Sequence, residues 1–251
     1  MLDIDKIHLG DCLELMPSIP SKSIDMILCD LPYGTTDCEW DSIIDMGKLW
    51  QEYERVIKDN GAIVLTAQGM FTAKLMVFRE KWFKYDYVWI KNLHSNFALT
   101  GIQPHRICED ILIFKNPKGA KETFHFDSRI KKMMVRKRND FSRDVYGGQR
   151  ENKDFISKEY ENYPKNVLYY NVERGMHPTQ KPVALFEYLI KTYTNEGDLV
   201  LDNCSGSGTT AIACLNSSRH FICIEKDETY YKRSLDRIAD HEPLLHLGDK
   251  C

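Results

Sequence analysis

Three groups of residues in this chain have types and spacings that could do chemistry. The first, Asp30-Leu31-Pro32-Tyr33-Gly34, follows the apolar run Ile24 to Cys29 and sets a carboxylate, a proline-held backbone and a planar phenol side by side. Such a set could hold a flat molecule bearing an amino group, and it equally suits an ordinary strand-to-loop exit. The second, Asp202-Asn203-Cys204-Ser205-Gly206-Ser207-Gly208-Thr209-Thr210, lies between an apolar run and a small-residue helix. Gly206 and Gly208 remove side chains where a ligand must approach backbone, and the helix behind them offers free N–H groups. Glu225, ending the next apolar run, is placed to accept hydrogen bonds from ribose hydroxyls. Ala211 in the third place of G-x-G-x-x-G is tolerated by the dinucleotide pattern, so the loop points to a nucleoside cofactor without choosing one. The third is His177-Pro178-Thr179-Gln180-Lys181-Pro182, where a lysine and a hydroxyl just before a helix could bind a carboxylate. A proline-bracketed helix start explains the prolines there but not the polar set between them.

The elements that must position these groups alternate in type. Short apolar runs at Ile4–Leu9, Ile24–Cys29, Ala62–Thr66, Tyr85–Ile90, Glu109–Phe114, Leu199–Leu201 and His220–Ile224 predict seven strands. Helical spacing predicts a brief helix after Gly10-Asp11, then helices over about 42–58, ended by Asn60-Gly61, and 71–82. Further helices are expected from Pro182 to Tyr193, after Gly208, and over 227–240. Strands alternating with helices mean a mostly parallel sheet covered on both faces, with ligands bound outside the carboxyl ends of the strands. Between Asn116 and about Arg174 the periodicity gives way to a polar stretch with a basic centre and interleaved aromatics. This reads as an inserted recognition segment, leaving 1–115 and 176–251 as the halves of one domain around an insertion at 116–175.

Composition leaves the chemistry open. The 251 residues are 43% hydrophobic and 28% charged with a net charge of −3, ordinary for a globular enzyme and mildly against a protein that coats nucleic acid. Eight cysteines lack any C-x-x-C pair, as expected for reduced cytosolic thiols, and no H-E-x-x-H or zinc spacing suggests a metal. No run has the length of a membrane span and no basic leader opens the sequence, so a cytoplasmic location is expected.

Together the three groups resemble the motifs of the DNA amino-methyltransferases that modify adenine N6 or cytosine N4. Asp30-Leu31-Pro32-Tyr33 looks like the family's D-P-P-Y tetrad, His177 to Pro182 matches H-P-T-Q-K-P, and Asp202 to Thr210 is similar to D-P-F-x-G-S-G-T-T. Their order is that of class β, with the catalytic motif ahead of the recognition segment and the cofactor motif last. The resemblance implies a Rossmann-like, circularly permuted class I methyltransferase sheet that binds S-adenosylmethionine and yields S-adenosylhomocysteine. Leu31 replaces a proline, harmlessly if position 31 serves through its carbonyl. Asn203-Cys204 replace Pro-Phe, which removes an aromatic ring near the cofactor.

The same resemblance implies a role for each matching residue. Asp30 and the Leu31 carbonyl would accept both hydrogens of the target amino group, with Pro32 as the rigid turn and Tyr33 stacking on a flipped base. The cofactor set would be Asp11, Cys12, Thr179, Lys181, Asp202, Cys204, Gly206, Gly208, Thr209, Thr210 and Glu225. Within it Asp11 faces the adenine amino group, Glu225 the ribose, and Thr179 and Lys181 the carboxylate. Arg129, Lys131, Lys132, Arg136, Lys137, Arg138 and Arg143 would contact phosphates, with His94, Ser95 and Asn96 as weaker candidates. The expected partner is double-stranded DNA; a homodimer and a cognate restriction endonuclease are compatible with the resemblance. Adenine N6 is the expected target and cytosine N4 the alternative. An NAD-dependent oxidoreductase would also use the glycine loop and Glu225 but leaves the tetrad and the basic run unexplained. A non-catalytic DNA-binding subunit is the third reading.

Overall fold

A computed structural model describes residues 2–33, 44–95, 101–121, 123–125, 129–136, 155–161, 164–173 and 180–241, with backbone alone described at 94–95, 129–136 and 155–161. The chain divides into two compact units. One runs through His125 and resumes at Asn166; the other spans Phe126–Lys165.

In chain order the first unit contains β1 (Lys6–Leu9), α1 (Cys12–Leu15), β2 (Ile24–Cys29), α2 (Met46–Val56), β3 (Ile57–Ala67), α3 (Met70–Phe78), β4 (Phe83–Ser95) and β5 (Arg106–Lys115). After the second unit's β6 (Arg129–Arg136) and β7 (Phe155–Glu161) come β8 (Val167–Tyr169), α4 (Val183–Tyr193), β9 (Leu199–Asp202), α5 (Thr209–Asn216), β10 (His220–Glu225) and α6 (Glu228–Ala239). Eight strands form one sheet in the order β1-β10-β9-β2-β3-β5-β4-β8, and β6 and β7 pair separately. The pairings from β1 through to β3, and that of β4 with β8, are parallel; β5 runs antiparallel to both its neighbours.

Alternation along the buried strands builds a core on each face. Ile27, Cys29, Ile63, Leu65, Leu201, Ile222 and Ile224 pack beneath α1, α2 and α3 with Trp50, Tyr53 and Leu75. Their neighbours Met26, Leu28, Val64, Val200, Phe221 and Cys223 pack on the other face with Leu185, Phe186 and Leu189 of α4 and Ala211 of α5. The first half of the chain covers one face and the second half the other.

Three details depart from expectation. The helix before β3 ends at Val56, and Asn60-Gly61 lie inside the strand instead of capping it. A Cβ at Gly61 would sit 2.7 Å from the Asp25 carbonyl, so glycine there permits close approach where the β2–β3 register shifts. Among the described residues no helix stands between β4 and β5, and the two strands pair antiparallel. The eighth strand, β8, has three residues, too few to show a period.

Candidate active site

Because β1, β10, β9, β2 and β3 run parallel, their carboxyl ends form one edge, and that edge brings together groups far apart in sequence. Antiparallel β5 presents its N-terminal part there: Ala67 pairs with Asp110, and Glu109 with Trp89 of β4.

At the end of β2, Asp30 is surrounded by donors. Its Oδ1 accepts from the Tyr33 hydroxyl at 2.8 Å and from Thr66 Oγ1, while Oδ2 accepts from Lys181 Nζ at 2.6 Å. The two hydroxyls are 3.1 Å apart. Lys181 Nζ also lies 3.2 Å from Glu109 Oε2, and Lys91 Nζ pairs with Glu109 Oε1. Lys181 is 5% exposed. Burial alone would lower the pKa of this ammonium, but the Asp30 and Glu109 carboxylates outweigh burial and raise it. Burial, reinforced by Asp30 and Glu109, pushes the Tyr33 phenol up, so it stays a neutral donor. Its ring stands 5.2 Å from that of Phe71, centroid to centroid. Leu31 packs its side chain into the core, leaving its backbone as the part of residue 31 available for chemistry.

Next to β2 in the sheet, the loop after β9 is held from within. Asp202 accepts from the Cys204 N–H at 3.1 Å and from the Thr210 hydroxyl; burial raises its carboxyl to about 7. Thr209 Oγ1 lies 3.4 Å from the Lys181 carbonyl and accepts from Arg237 Nη1 at 3.2 Å. Both threonine hydroxyls thus have protein partners, Thr210 within the loop and Thr209 on Lys181 and Arg237. Gly206 has φ +51° with open space where a side chain would be, whereas a Cβ on Gly208, at φ +76°, would meet Ser234 Cβ at 3.0 Å. The first glycine therefore leaves room over the backbone and the second permits close packing with α6. The N-cap of α5 is Gly208, which makes no side-chain capping bond to the helix's first N–H groups. Glu225, 8% exposed, accepts from the Gly206 N–H at 2.7 Å and the Asp227 N–H at 2.8 Å. Burial raises its pKa. A side-chain-free cradle, uncapped helix donors and a buried carboxylate at the next strand end fit a nucleoside cofactor with a carboxylate tail.

Asp11 caps α1 through Leu13 N at 2.9 Å and pairs with Lys226 Nζ at 3.0 Å. Burial would raise its pKa, but these two contacts outweigh it and lower it. Cys12 is buried, and hydrogen bonding with Cys204, then burial, push its thiol up. Asn203, the residue in place of proline, accepts a hydrogen bond from the Tyr53 hydroxyl through Oδ1 at 2.5 Å, and Cys204 packs against the core that contains Cys12 and Cys29.

Lys181, which the motif resemblance puts on a cofactor carboxylate, has its ammonium between Asp30 and Glu109. Thr66, Glu109, Lys91 and Arg237 carry no motif, and sequence reasoning misses them; the one signal is polar residues inside or ending apolar runs. Arg129, Lys131, Lys132 and Arg136 lie on β6, whose pairing with β7 sets Arg129 opposite Glu161 and Arg136 opposite Phe155. Gly34, His177, Pro178, Thr179, Lys137, Arg138, Arg143 and Asn96 lie outside the described residues, and of His94 and Ser95 only the backbone, in β4, is described.

No helix among the described residues is long and apolar enough to cross a membrane. The profile of the DNA methylase family matches residues 24–236. The Type II methyltransferase M.HpaI of Haemophilus parainfluenzae is 30% identical over 243 residues, which are 91% of this chain and 72% of that protein. M2.MboI of Moraxella bovis is 29% identical over 266 residues, covering 95% of this chain and 89% of its own length. Among solved structures, an M1.HpyAVI–SAM complex superposes with a TM-score of 0.64 at 24% identity, covering 92% of this chain and 98% of that one. The cytosine-N4-specific PvuII DNA methyltransferase gives 0.67 at 18% identity, covering 94% and 87%. These structural likenesses speak to the fold.

Proposed function

The chain belongs to the DNA methylase family, the S-adenosylmethionine-dependent N6/N4 amino-methyltransferases, and on that premise we propose that it methylates the exocyclic N6 of adenine in double-stranded DNA. The observation that carries this reading is the ionic and hydroxyl cluster around Asp30 at the end of β2, beside the glycine loop of β9 in the same sheet. An exocyclic amino group is a poor nucleophile because its lone pair is delocalised into the ring. With Asp30 and the Leu31 carbonyl accepting its two hydrogens, the nitrogen moves toward tetrahedral geometry and its lone pair is freed. The rate then comes from positioning and electrostatics. S-adenosylmethionine would be held by Glu225, the Gly206 backbone and the α5 N-terminus, with Asp11 at its adenine, and would supply the methyl group with S-adenosylhomocysteine as the leaving group, while Asp30 would take the proton released by the amino nitrogen. Reaching a paired base requires flipping it out of the duplex, where Tyr33 supplies a stacking plane.

The acceptor pair would serve the amino group of cytosine as well. One experiment separates them: incubate unmethylated DNA with the protein and S-adenosylmethionine, digest to nucleosides and identify the product by mass spectrometry. N6-methyldeoxyadenosine is expected, N4-methyldeoxycytidine would move the assignment, and no methylated base would end it.

A further inference from the structure

Lys91, Glu109, Lys181 and Asp30 form a file of alternating charges, cation, anion, cation, anion, drawn from β4, β5, the segment before α4 and the end of β2. The links are Lys91–Glu109, Glu109 Oε2 to Lys181 Nζ at 3.2 Å and Lys181 Nζ to Asp30 Oδ2 at 2.6 Å. Side-chain exposure is 10%, 11% and 5% along the first three and 25% at Asp30, so the file is buried at its root and opens at the carboxylate. A surface ion pair contributes little, but a shielded one fixes geometry, and each charge here has an opposite neighbour.

A carboxylate offers about four acceptor positions. At Asp30 the Tyr33 and Thr66 hydroxyls take two on Oδ1 and Lys181 takes one on Oδ2, leaving one position on Oδ2 unfilled among the described residues. Lys181 Nζ also stands 5.8 Å from the centroid of the Tyr33 ring, so one ammonium pairs with the acceptor and lies within cation–π range of the stacking plane.

We propose that Lys181, oriented by Glu109 and through it by Lys91, is a positioning residue that holds Asp30 so its last Oδ2 lone pair meets the amino hydrogen of the flipped base. The proposal rests on the amino-methyltransferase reading above and changes the role of Lys181 within it. Lys181 acts on the acceptor, and the cofactor carboxylate falls to other groups. Glu109 and Lys91 act through Lys181 without touching substrate.

The test is single-turnover methylation of unmethylated DNA by the full chain, with S-adenosylmethionine affinity measured separately by calorimetry. Lys181→Met is expected to slow transfer about 10²-fold, the scale of a misplaced reacting group, while affinity for S-adenosylmethionine stays within about threefold. Glu109→Gln should slow it less, and the double variant should be no slower than Lys181→Met alone, because Glu109 has nothing left to orient. Multiplying factors in the double variant would make Glu109 a structural residue and overturn the proposal. So would a parallel loss of affinity and rate in Lys181→Met, which would return the lysine to the cofactor. Should Lys181→Met fail to fold, Lys91→Met replaces it. A several-fold slower transfer at unchanged affinity supports the file, and wild-type transfer overturns it. Absence of methylation by the unmodified chain would instead count against the amino-methyltransferase reading itself.

Discussion

Three donors converge on the Asp30 carboxylate before any substrate arrives, and none of them belongs to the glycine loop. Asp30→Ala is therefore expected to abolish methylation and leave S-adenosylmethionine binding largely intact by calorimetry. A loss of affinity as large as that caused by Glu225→Ala would contradict the assignment. Leu31 supplies a second case. Its side chain is 3% exposed and packed in the core, which separates its anchoring role from the chemistry of its carbonyl. Leu31→Pro should keep most activity per folded molecule, measured by initial rates normalised to native protein, while lowering stability by about 1–2 kcal/mol through lost apolar contact. At this scale the motif was legible because Asp30, Pro32 and Tyr33 fall together just after a strand end. The partners of Asp30 were not, since Thr66 is 36 residues away and Lys181 is 151, and only the sheet brings them together. In sequence Asn203 marks only a replaced proline, with the lost aromatic at Cys204. In the folded chain it pairs with Tyr53 beneath the loop, a contact no local pattern announces.

Strands β2, β9 and β10 were readable because a parallel strand buried on both faces is an unbroken apolar run. The antiparallel course of β5 was not, because its run of residues looks the same in either direction. The sheet also imposes an electrostatic cost on its own loop: burial raises Asp202 to about 7 against an ordinary 3.8. A carboxyl raised in the folded state stabilises fully below its unfolded pKa, and that stabilisation fades as pH climbs to the folded value. The window for Asp202 is thus about pH 4 to 7, where the unfolded chain ionises and the folded chain resists. Asp202→Asn should flatten the fall in stability across that window, by up to about 1 kcal/mol per pH unit. Denaturant unfolding of both proteins at several pH values checks this, and parallel stability curves would mean Asp202 is already ionised in the fold. At the opposite ends of the strands, Asp25 accepts from Lys58 at 2.7 Å and from the Leu199 N–H at 3.0 Å, tying β2, β3 and β9 together away from the chemistry.

For the whole molecule, charge is distributed unevenly between the two units. The complete chain carries −3, yet the stretch from Arg129 to Arg143 holds seven basic residues against one acid, so the remainder is net acidic and would on balance repel a phosphate backbone. If DNA is the partner, that stretch, which belongs to the second unit, Phe126–Lys165, is a concentrated source of attraction. Binding through phosphates releases condensed counterions, so affinity should fall steeply with salt, at a slope set by the number of phosphates neutralised. Replacing Lys137 and Arg138 together with alanine is expected to weaken binding to any duplex sequence and reduce the slope of log affinity against log salt by about two. Fluorescence anisotropy titrations at several salt concentrations measure both quantities. A slope equal to that of the unmodified chain would place the two residues off the DNA, and a loss confined to one sequence would make them base readers instead of phosphate contacts.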